Sequence, residues 1–212
     1  MNPDAIAFLK KCEPRFTVHI ERIGDIGLPK RRSNDPFLAL IESIAYQQLA
    51  AAAARVIWSR VLALFPEQTP SAHALLDLSE DQLRSAGLSR SKARSLREIA
   101  AKKAEGVVPT ARSIARMTEH NIFERLIQIR GVGPWTVDML LIFSLRRPDI
   151  MPSTDYGVRK GIQLLYRKRS LPSPKQVAKL TECWSPHRTT AALYLWRIAA
   201  AAKPKKRKAA TS

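Results

Sequence analysis

The sequence contains very little cysteine: Cys12 and Cys183 are the only two in 212 residues. Two cysteines exclude a multi-cysteine zinc or iron–sulfur cluster and fit a reducing compartment. The four histidines show neither zinc-ligand spacing nor a triad partner: His19, His73, His120 and His187. No apolar run is long enough for a signal peptide or a membrane span, so we expect an intracellular protein with no membrane partner.

Patterns typical of β-strands and of sequence repeats are also missing. No segment alternates apolar and polar residues over the length of a strand, and no motif recurs at a fixed interval. Hydrophobic residues make up 45% of the chain, with many alanines among them. A chain of this length can bury a core without disulfides or metal. The sequence therefore predicts an all-α fold.

Positive charge is present in excess. Lysine and arginine number 36 against 18 aspartates and glutamates, which gives a net charge of +18. The last ten residues hold five of these charges, leaving +13 elsewhere: Lys203, Lys205, Lys206, Arg207 and Lys208. A polyanion is the expected partner, and a merely solvated surface is the alternative. Residues 203–212 are expected to form a flexible basic tail, either an import-like patch or a nonspecific phosphate contact.

Apolar residues recur at helical spacing along most of the chain. The predicted helices cover residues 3–12, 17–24, 36–50, 51–65, 71–78, 79–87, 89–103, 155–166, 174–181 and 186–202, with two more around 118–145. Asp35, Ser71 and Ser79 stand where N-caps are expected. Helix 89–103 begins with basic residues, which oppose the helix dipole. Lys92 and its neighbours are therefore predicted either to bind phosphate or to form a solvated face.

A tight turn between two predicted helices contains Gly131, Gly133 and Pro134. Glycine accepts positive φ and the close approach of a foreign backbone, and proline at the first helical position gives up an amide that has no helical partner. The remaining amides predict a concave site for a DNA phosphate, at Gly131, Val132, Gly133 and Thr136. An ordinary helix–helix connection is the alternative interpretation.

A second motif follows this turn, where residues 152–161 read Pro-Ser-Thr-Asp-Tyr-Gly-Val-Arg-Lys-Gly. The hairpin followed by this aspartate-containing loop resembles the helix-hairpin-helix DNA glycosylase superfamily. The tryptophan after the hairpin and the run from Asp155 look most like the DNA-3-methyladenine glycosylases. The resemblance covers roughly Asp35 to Trp196. It implies one compact domain over residues 1–202, with two helical lobes, a cleft between them and the hairpin motif at 118–145; no N-terminal β-domain is expected.

The resemblance also implies a function. It is that of a monofunctional type II DNA-3-methyladenine glycosylase, which flips purines such as 3-methyladenine or 7-methylguanine out of duplex DNA and hydrolyses the N-glycosidic bond in base excision repair. The expected partner is double-stranded DNA containing alkylated bases, and the expected state is a monomer. The bacterial cytoplasm or nucleoid is the favoured location, or the nucleus in a eukaryote. A noncatalytic DNA-binding module and a same-fold glycosylase for another lesion are the alternatives.

Asp155 is the predicted catalytic residue. Cleavage of an N-glycosidic bond builds positive charge on the deoxyribose, which a nearby carboxylate stabilises, or the carboxylate orients the attacking water. An alkylated purine already carries positive charge and leaves without much acid catalysis, so one carboxylate suffices. An N-cap is the alternative role for Asp155. Relatives that also cut the strand carry a lysine in place of Trp135, which forms a Schiff base; the tryptophan therefore implies no lyase activity.

Base-pocket and wedge residues are also implied by the resemblance. The predicted pocket is aromatic because cationic bases bind aromatic faces, and it contains Trp135, Trp196, Met139 and Tyr156, with Trp184 and Tyr194 as weaker candidates. A packed core is the alternative for these side chains. A wedge must fill the gap left by an extracted base. Gln48 is the first candidate, supported by Gln47, and Leu49 is the second; helix capping and core packing are the alternatives for these three.

The remaining predicted contacts concern ions and phosphates. In the resembled superfamily, hairpin carbonyls bind a monovalent or divalent cation such as Na⁺, K⁺ or Mg²⁺. The matching carbonyls here belong to Ile127, Ile129 and Gly131, and the ion would be structural, since no cofactor is expected for catalysis. Arg159 and Lys160 are predicted either to contact phosphate or to form a solvated helix face.

Overall fold

The computed structural model describes residues 3–29 and 34–202, and these ranges contain helices and no β-strand. The predicted all-α fold is confirmed. The α-helices are, in chain order, α1 (Pro3–Cys12), α2 (Phe16–Ile23), α3 (Pro36–Tyr46), α4 (Ala51–Leu62), α5 (Ala72–Asp77), α6 (Glu80–Ser85), α7 (Arg90–Ala104), α8 (Ala111–Ile114), α9 (Glu119–Leu126), α10 (Pro134–Met139), α11 (Tyr156–Leu165), α12 (Pro174–Leu180) and α13 (Arg188–Ala201). Short 3₁₀ turns cover Pro66–Gln68 and Glu182–Trp184, and a π turn covers Leu140–Ser144.

The helices form two units that separate by their internal contacts. One unit holds the described residues of Met1–Pro29 and Arg147–Ser212, and the other holds those of Lys30–Arg146. The predicted basic tail, residues 203–212, lies outside the described residues. Within the described ranges, no helix is both long and apolar enough to span a membrane.

Helix α3 is the centre of the unit formed by residues 34–146. It packs against α4, α7, α10 and the π turn. Its buried face follows helical spacing, with Phe37, Leu40, Ile41 and Ile44 almost completely shielded from solvent. Asp35 caps the helix as predicted, because its Oδ1 accepts a hydrogen bond from the Phe37 amide at 3.0 Å.

Helices α11 and α13 form the main packed pair of the other unit, and α1, α2 and α12 complete it. Its core contains the edge-to-face pair Phe16 and Trp184, with ring centroids 5.0 Å apart. Trp184 and Tyr194 are both fully buried in this core. The weaker pocket assignment of these two residues was therefore wrong, because packing leaves no ring surface for a base.

Most predicted helix boundaries are confirmed to within a few residues. Ser71, Ser79 and Ser173 each accept a hydrogen bond from an amide of the helix that follows. The largest difference is at α3, which ends at Tyr46, so that residues 47–50 form a loop. Helix α8 was not predicted, since a single helical turn gives no clear periodicity.

Candidate functional site

Asp155 begins α11 and holds two donors on one oxygen. Its Oδ1 accepts a hydrogen bond from the Val158 amide at 2.8 Å and from Trp196 Nε1 at 2.7 Å. The predicted N-cap role is therefore present. The indole contact adds a constraint that a cap does not need, because it joins the aspartate to α13. The carboxylate is held in one orientation while remaining partly exposed to solvent.

Two glycines allow α11 to approach α13 this closely. A Cβ at Gly157 would lie 2.7 Å from Trp196 Cδ1, and a Cβ at Gly161 would lie 2.5 Å from the Leu195 carbonyl oxygen. Both distances are far below van der Waals contact, so any larger residue would push the helices apart. Their function was missed in the sequence, although small residues four apart on a helix are a known signal of close packing.

The other predicted residues of α11 differ in exposure. The Tyr156 side chain is 64% exposed, next to Asp155 in the chain. Arg159 Nε donates to the Pro172 carbonyl at 2.7 Å, and Lys160 Nζ donates to Gln163 Oε1 at 2.8 Å. Both cations therefore have a protein acceptor and are partly buried.

The loop that precedes Asp155 is anchored by an ion pair. Asp149 accepts hydrogen bonds from Arg188 Nε and Nη2, both at 2.8 Å, and from Ser185 Oγ at 2.8 Å. These hydrogen bonds, above all those from Arg188, lower the pKa of the Asp149 carboxyl to about 2. The pair fixes this loop to the start of α13.

The hairpin between α9 and α10 is built as predicted, but its two glycines act differently. Gly131 has φ of +85°, and a Cβ there would lie 2.1 Å from Ser95 Oγ. Both its backbone conformation and its neighbour therefore require glycine. Gly133 has φ of −107°, which any residue adopts, and a Cβ there would meet no atom within 4 Å. The space beside Gly133 is open to a group from outside the protein.

Two of the four predicted phosphate contacts have a structural role inside the hairpin. The Val132 amide donates to the Ile129 carbonyl at 3.0 Å, and the Thr136 amide donates to the Gly133 carbonyl at 2.9 Å. Val132 and Thr136 are also buried, with 4% and 1% exposure. Backbone carbonyls already accept from these two amides, so they are engaged within the hairpin, and their contact with phosphate stays a prediction. Among the four predicted residues, Gly131 and Gly133 are therefore the better candidates for a phosphate contact.

The loop that follows α3 contacts the hairpin through Gln47. Its Nε2 donates to the Gly131 carbonyl at 3.0 Å and to Thr136 Oγ1 at 2.9 Å. Gln48, the next residue, is exposed and left-handed with φ of 57°, and Leu49 is 40% exposed. The supporting role predicted for Gln47 is consistent with its contacts. Gln48 and Leu49 both have side chains accessible to a partner.

Lys92 makes a contact that neither sequence interpretation included. Its Nζ donates to the Ala45 and Gln47 carbonyls at 3.0 and 2.7 Å. It is partly buried, and desolvation lowers the pKa of its ammonium group. The neighbouring Arg90 and Arg94 form ion pairs with Glu80. Positive charge against the helix dipole was the available signal, but nothing in the sequence indicated which acceptors it would reach.

A surface depression of about 590 Å³ lies in the same unit, away from these residues in sequence. Its lining contains none of the predicted site residues and includes Glu105, Glu124 and Arg125. Arg125 donates to the Gly106 and Val107 carbonyls at 2.7 Å each. Two carboxylates and a cation held by carbonyls do not suit phosphate binding, so we assign this depression no part in the site.

Known proteins similar to this chain identify its family. Residues 41–186 match the family model of the HhH-GPD superfamily base excision DNA repair proteins. The chain belongs to this superfamily. It is 39% identical over 164 residues to DNA-3-methyladenine glycosylase 1 of Schizosaccharomyces pombe. The aligned region covers 77% of this chain and 72% of that protein.

Solved structures agree with this assignment. The fold matches the S. pombe 3-methyladenine DNA glycosylase in complex with abasic DNA, with a TM-score of 0.90, 34% identity, and coverage of 96% of this chain and 100% of that chain. It also matches DNA-3-methyladenine glycosidase from Bacillus halodurans, with a TM-score of 0.77 and 29% identity over 93% and 90% of the two chains.

The carbonyls predicted to hold a structural cation belong to Ile127, Ile129 and Gly131, and two of them already accept hydrogen bonds. The Ile129 carbonyl accepts from the Val132 amide, and the Gly131 carbonyl accepts from Gln47 Nε2. Each carbonyl has a second lone pair for a metal ion. Ile127 closes α9 and is 37% exposed. Elsewhere in residues 3–29 and 34–202, no group of three His, Cys, Asp or Glu side chains is placed to hold a metal.

Trp135 and Met139 occupy the first two turns of α10 in this HhH-GPD protein. Trp135 is partly buried, whereas Met139 is 8% exposed. An indole nitrogen is not a nucleophile, so Trp135 itself could not form a Schiff base. Met139 presents little surface and acts mainly in packing.

Proposed function

We propose that this protein is a monofunctional DNA glycosylase of the type II DNA-3-methyladenine class, acting as a monomer on duplex DNA with alkylated purines. The observation that carries the proposal is the Asp155 carboxylate, fixed by Trp196 at 2.7 Å. It stands in a chain that belongs to the HhH-GPD superfamily and is 39% identical to a DNA-3-methyladenine glycosylase. Such a protein works in the compartment that holds DNA.

Asp155 would act by electrostatic stabilisation. As the glycosidic bond breaks, positive charge develops on the deoxyribose, and an oriented carboxylate lowers its energy or aligns a water molecule for attack. The Val158 amide and the Trp196 indole orient Asp155 before substrate arrives. A cationic alkylated purine needs no general acid, so the single carboxylate matches that substrate class.

Aromatic side chains beside Asp155 support the choice of a cationic base. Trp196 is partly buried and Tyr156 is mostly exposed, and both rings can attract positive charge on a methylated purine. Trp135 remains a proposed base contact, while Met139 offers little surface. Since Trp135 replaces the lysine needed for strand cleavage, the product would be an abasic site in an intact strand.

DNA binding is proposed to use the hairpin and the loop after α3. Gly131 and the open space beside Gly133 would receive a phosphate. Arg159 and Lys160, which belong to the other unit, are also proposed to contact phosphate. Gln48 would enter the duplex as the wedge, with Leu49 as the second candidate. A Na⁺, K⁺ or Mg²⁺ ion on the hairpin carbonyls would be structural and bridge to phosphate.

The experiment that tests this function measures base release from duplex DNA treated with a methylating agent. Wild type should release 3-methyladenine or 7-methylguanine and leave the strand uncut, whereas Asp155→Asn should bind the duplex without releasing base. Asp77→Asn is the matched control, because Asp77 has an exposed side chain distant in sequence from Asp155. Release by Asp155→Asn at the wild-type rate would reject the catalytic role. Binding by wild type with no release would favour a noncatalytic module or another lesion.

A further inference from the structure

Lys92 and Gln47 form a connected set of hydrogen bonds around the loop of residues 47–50. Lys92 Nζ holds the Gln47 carbonyl at 2.7 Å and the Ala45 carbonyl at 3.0 Å. The Gln47 side chain in turn holds the hairpin, through the Gly131 carbonyl and the Thr136 hydroxyl. Gln47 is therefore bound to α7 through its backbone carbonyl and to the hairpin through its side-chain amide.

The hydrogen bonds of Lys92 satisfy backbone carbonyls at the C-terminal end of α3. The last carbonyls of a helix lack helical partners and carry partial negative charge, so a cation stabilises them. Burial of the Lys92 ammonium costs free energy, which its two carbonyl acceptors offset. A lysine in this environment restricts the backbone at residues 45–47 far more than a solvated lysine would.

The residue directly after this restrained segment is Gln48. Its left-handed backbone, with φ of 57°, is unfavourable for a residue other than glycine and needs support from its surroundings. Its side chain is exposed. The hydrogen bond of the Leu49 amide to the Tyr46 carbonyl, at 3.3 Å, closes the turn around it. The hydrogen bonds of Gln47 therefore restrain the chain at the residue immediately before Gln48.

We propose that Lys92 is a positioning residue for base extrusion, which holds the residue 47–50 loop so that Gln48 enters the gap left by a flipped base. This inference rests on the proposed glycosylase function. Lys92 itself would touch neither the base nor the sugar. It acts through the Gln47 carbonyl, and its loss would leave Gln48 present but poorly placed.

Lys103 provides a comparison on the same helix. Its Nζ lies 3.7 Å from Asp35 Oδ1, at the opposite end of α3. Lys92 and Lys103 therefore both join α7 to α3, but only Lys92 contacts the loop that carries Gln48. If Lys92 served general stability alone, substitution of either lysine would affect the enzyme in the same way.

The test combines excision and extrusion in four variants and one double variant of the full chain. Single-turnover release of 7-methylguanine is measured at saturating enzyme, and extrusion is followed by the fluorescence of 2-aminopurine placed beside the lesion. The variants are Lys92→Met, Lys92→Arg, Lys103→Met, Gln48→Ala and Lys92→Met combined with Gln48→Ala. Circular dichroism confirms folding, and Lys92→Gln, which keeps a neutral donor, replaces Lys92→Met if the latter does not fold.

Lys92→Met should slow both extrusion and excision by about tenfold or more, because small misplacements of a positioned group have such effects. Lys103→Met should stay within about twofold of wild type. Lys92→Arg should retain most of the wild-type rate, because arginine also offers cationic N–H donors to the carbonyls. In protein that already carries Gln48→Ala, Lys92→Met should lower the excision and extrusion rates by less than about twofold further, since both changes disable the same wedge.

Two results would overturn the proposal. One is an equal loss of rate in Lys92→Met and Lys103→Met. The other is a full effect of Lys92→Met in protein that already lacks the Gln48 side chain. If wild type releases no base, the proposed glycosylase function is rejected. The 2-aminopurine fluorescence then still tests whether Lys92 positions Gln48 for extrusion. Extrusion that depends on Lys92 and Gln48 together would support the positioning role, and the absence of extrusion by wild type would reject it.

Discussion

Substitution of Gly157 by alanine should slow base excision although it removes no polar group. An alanine Cβ would lie 2.7 Å from Trp196 Cδ1, 3.1 Å from Trp196 Nε1 and 3.0 Å from Asp155 Oδ1. Carbon atoms pack best about 3.5–4.0 Å apart, so the indole must move by about 1 Å. The hydrogen bond from Trp196 to Asp155, now 2.7 Å, would then be stretched beyond useful length.

The size of the effect follows from that hydrogen bond. A bond to a charged acceptor contributes about 1.5–3 kcal/mol, and we take about 1–2 kcal/mol because Asp155 is partly exposed. If this stabilisation serves the transition state, the single-turnover excision rate should fall by about five- to thirtyfold. Overpacking should also lower the free energy of unfolding by about 1–3 kcal/mol.

Single-turnover kinetics with saturating enzyme measure the excision rate, and urea unfolding measures the free energy of unfolding, so the two effects are obtained separately. Gly161→Ala is the matched control, because its Cβ would meet the Leu195 backbone at 2.5 Å but not the Trp196–Asp155 bond. It should destabilise the protein at least as much, but it should lose less rate per folded molecule than Gly157→Ala, because its Cβ does not contact the hydrogen-bonded atoms directly. The reasoning is refuted if Gly157→Ala excises at the wild-type rate, or if both alanine variants lose the same rate.

Two further predictions concern stability. Gly131→Ala should lower the free energy of unfolding by about 2–4 kcal/mol, because of its left-handed φ and the contact with Ser95; adding Ser95→Gly should recover only the steric part, as urea titration would show. Asp149→Asn should cost about 1–2 kcal/mol at pH 7, after allowance for solvent screening of the Arg188 pair. Because its folded pKa of about 2 is below the unfolded value of about 3.9, this stabilisation is present above pH 4 and should disappear as pH falls toward 2; an unchanged difference at low pH would contradict it.

The helices and their caps could be predicted because their causes are local. Asp35, Ser71 and Ser79 each accept hydrogen bonds from amides two or three residues away, so the capping pattern is visible in consecutive letters. The turn at Gly131 is likewise a short-range feature. The roles of Asp155 and Gln48, in contrast, were predicted from the resemblance to a family that shares the same order of motifs.

The internal structure of the hairpin limited what could be predicted about phosphate contacts. Val132 and Thr136 follow the same turn pattern as Gly131 and Gly133, yet their amides donate to backbone carbonyls of the hairpin. Which amides stay available depends on the folded path of the turn, and composition does not specify that path. The same limit applies to Trp184 and Tyr194, whose burial depends on neighbours from several helices.

Helical periodicity, N-caps and the excess of positive charge are properties of short segments or of composition, so reading the chain was enough to establish an all-α protein with a basic surface. The contacts that organise the site join distant segments: Trp196 to Asp155 across 41 residues, Gln47 to Gly131 across 84, and Lys92 to Gln47 across 45. These depend on how helices pack, because a donor finds its acceptor only after the packing has set their separation. Packing thus determines which of many polar residues hold the proposed catalytic carboxylate and the proposed wedge.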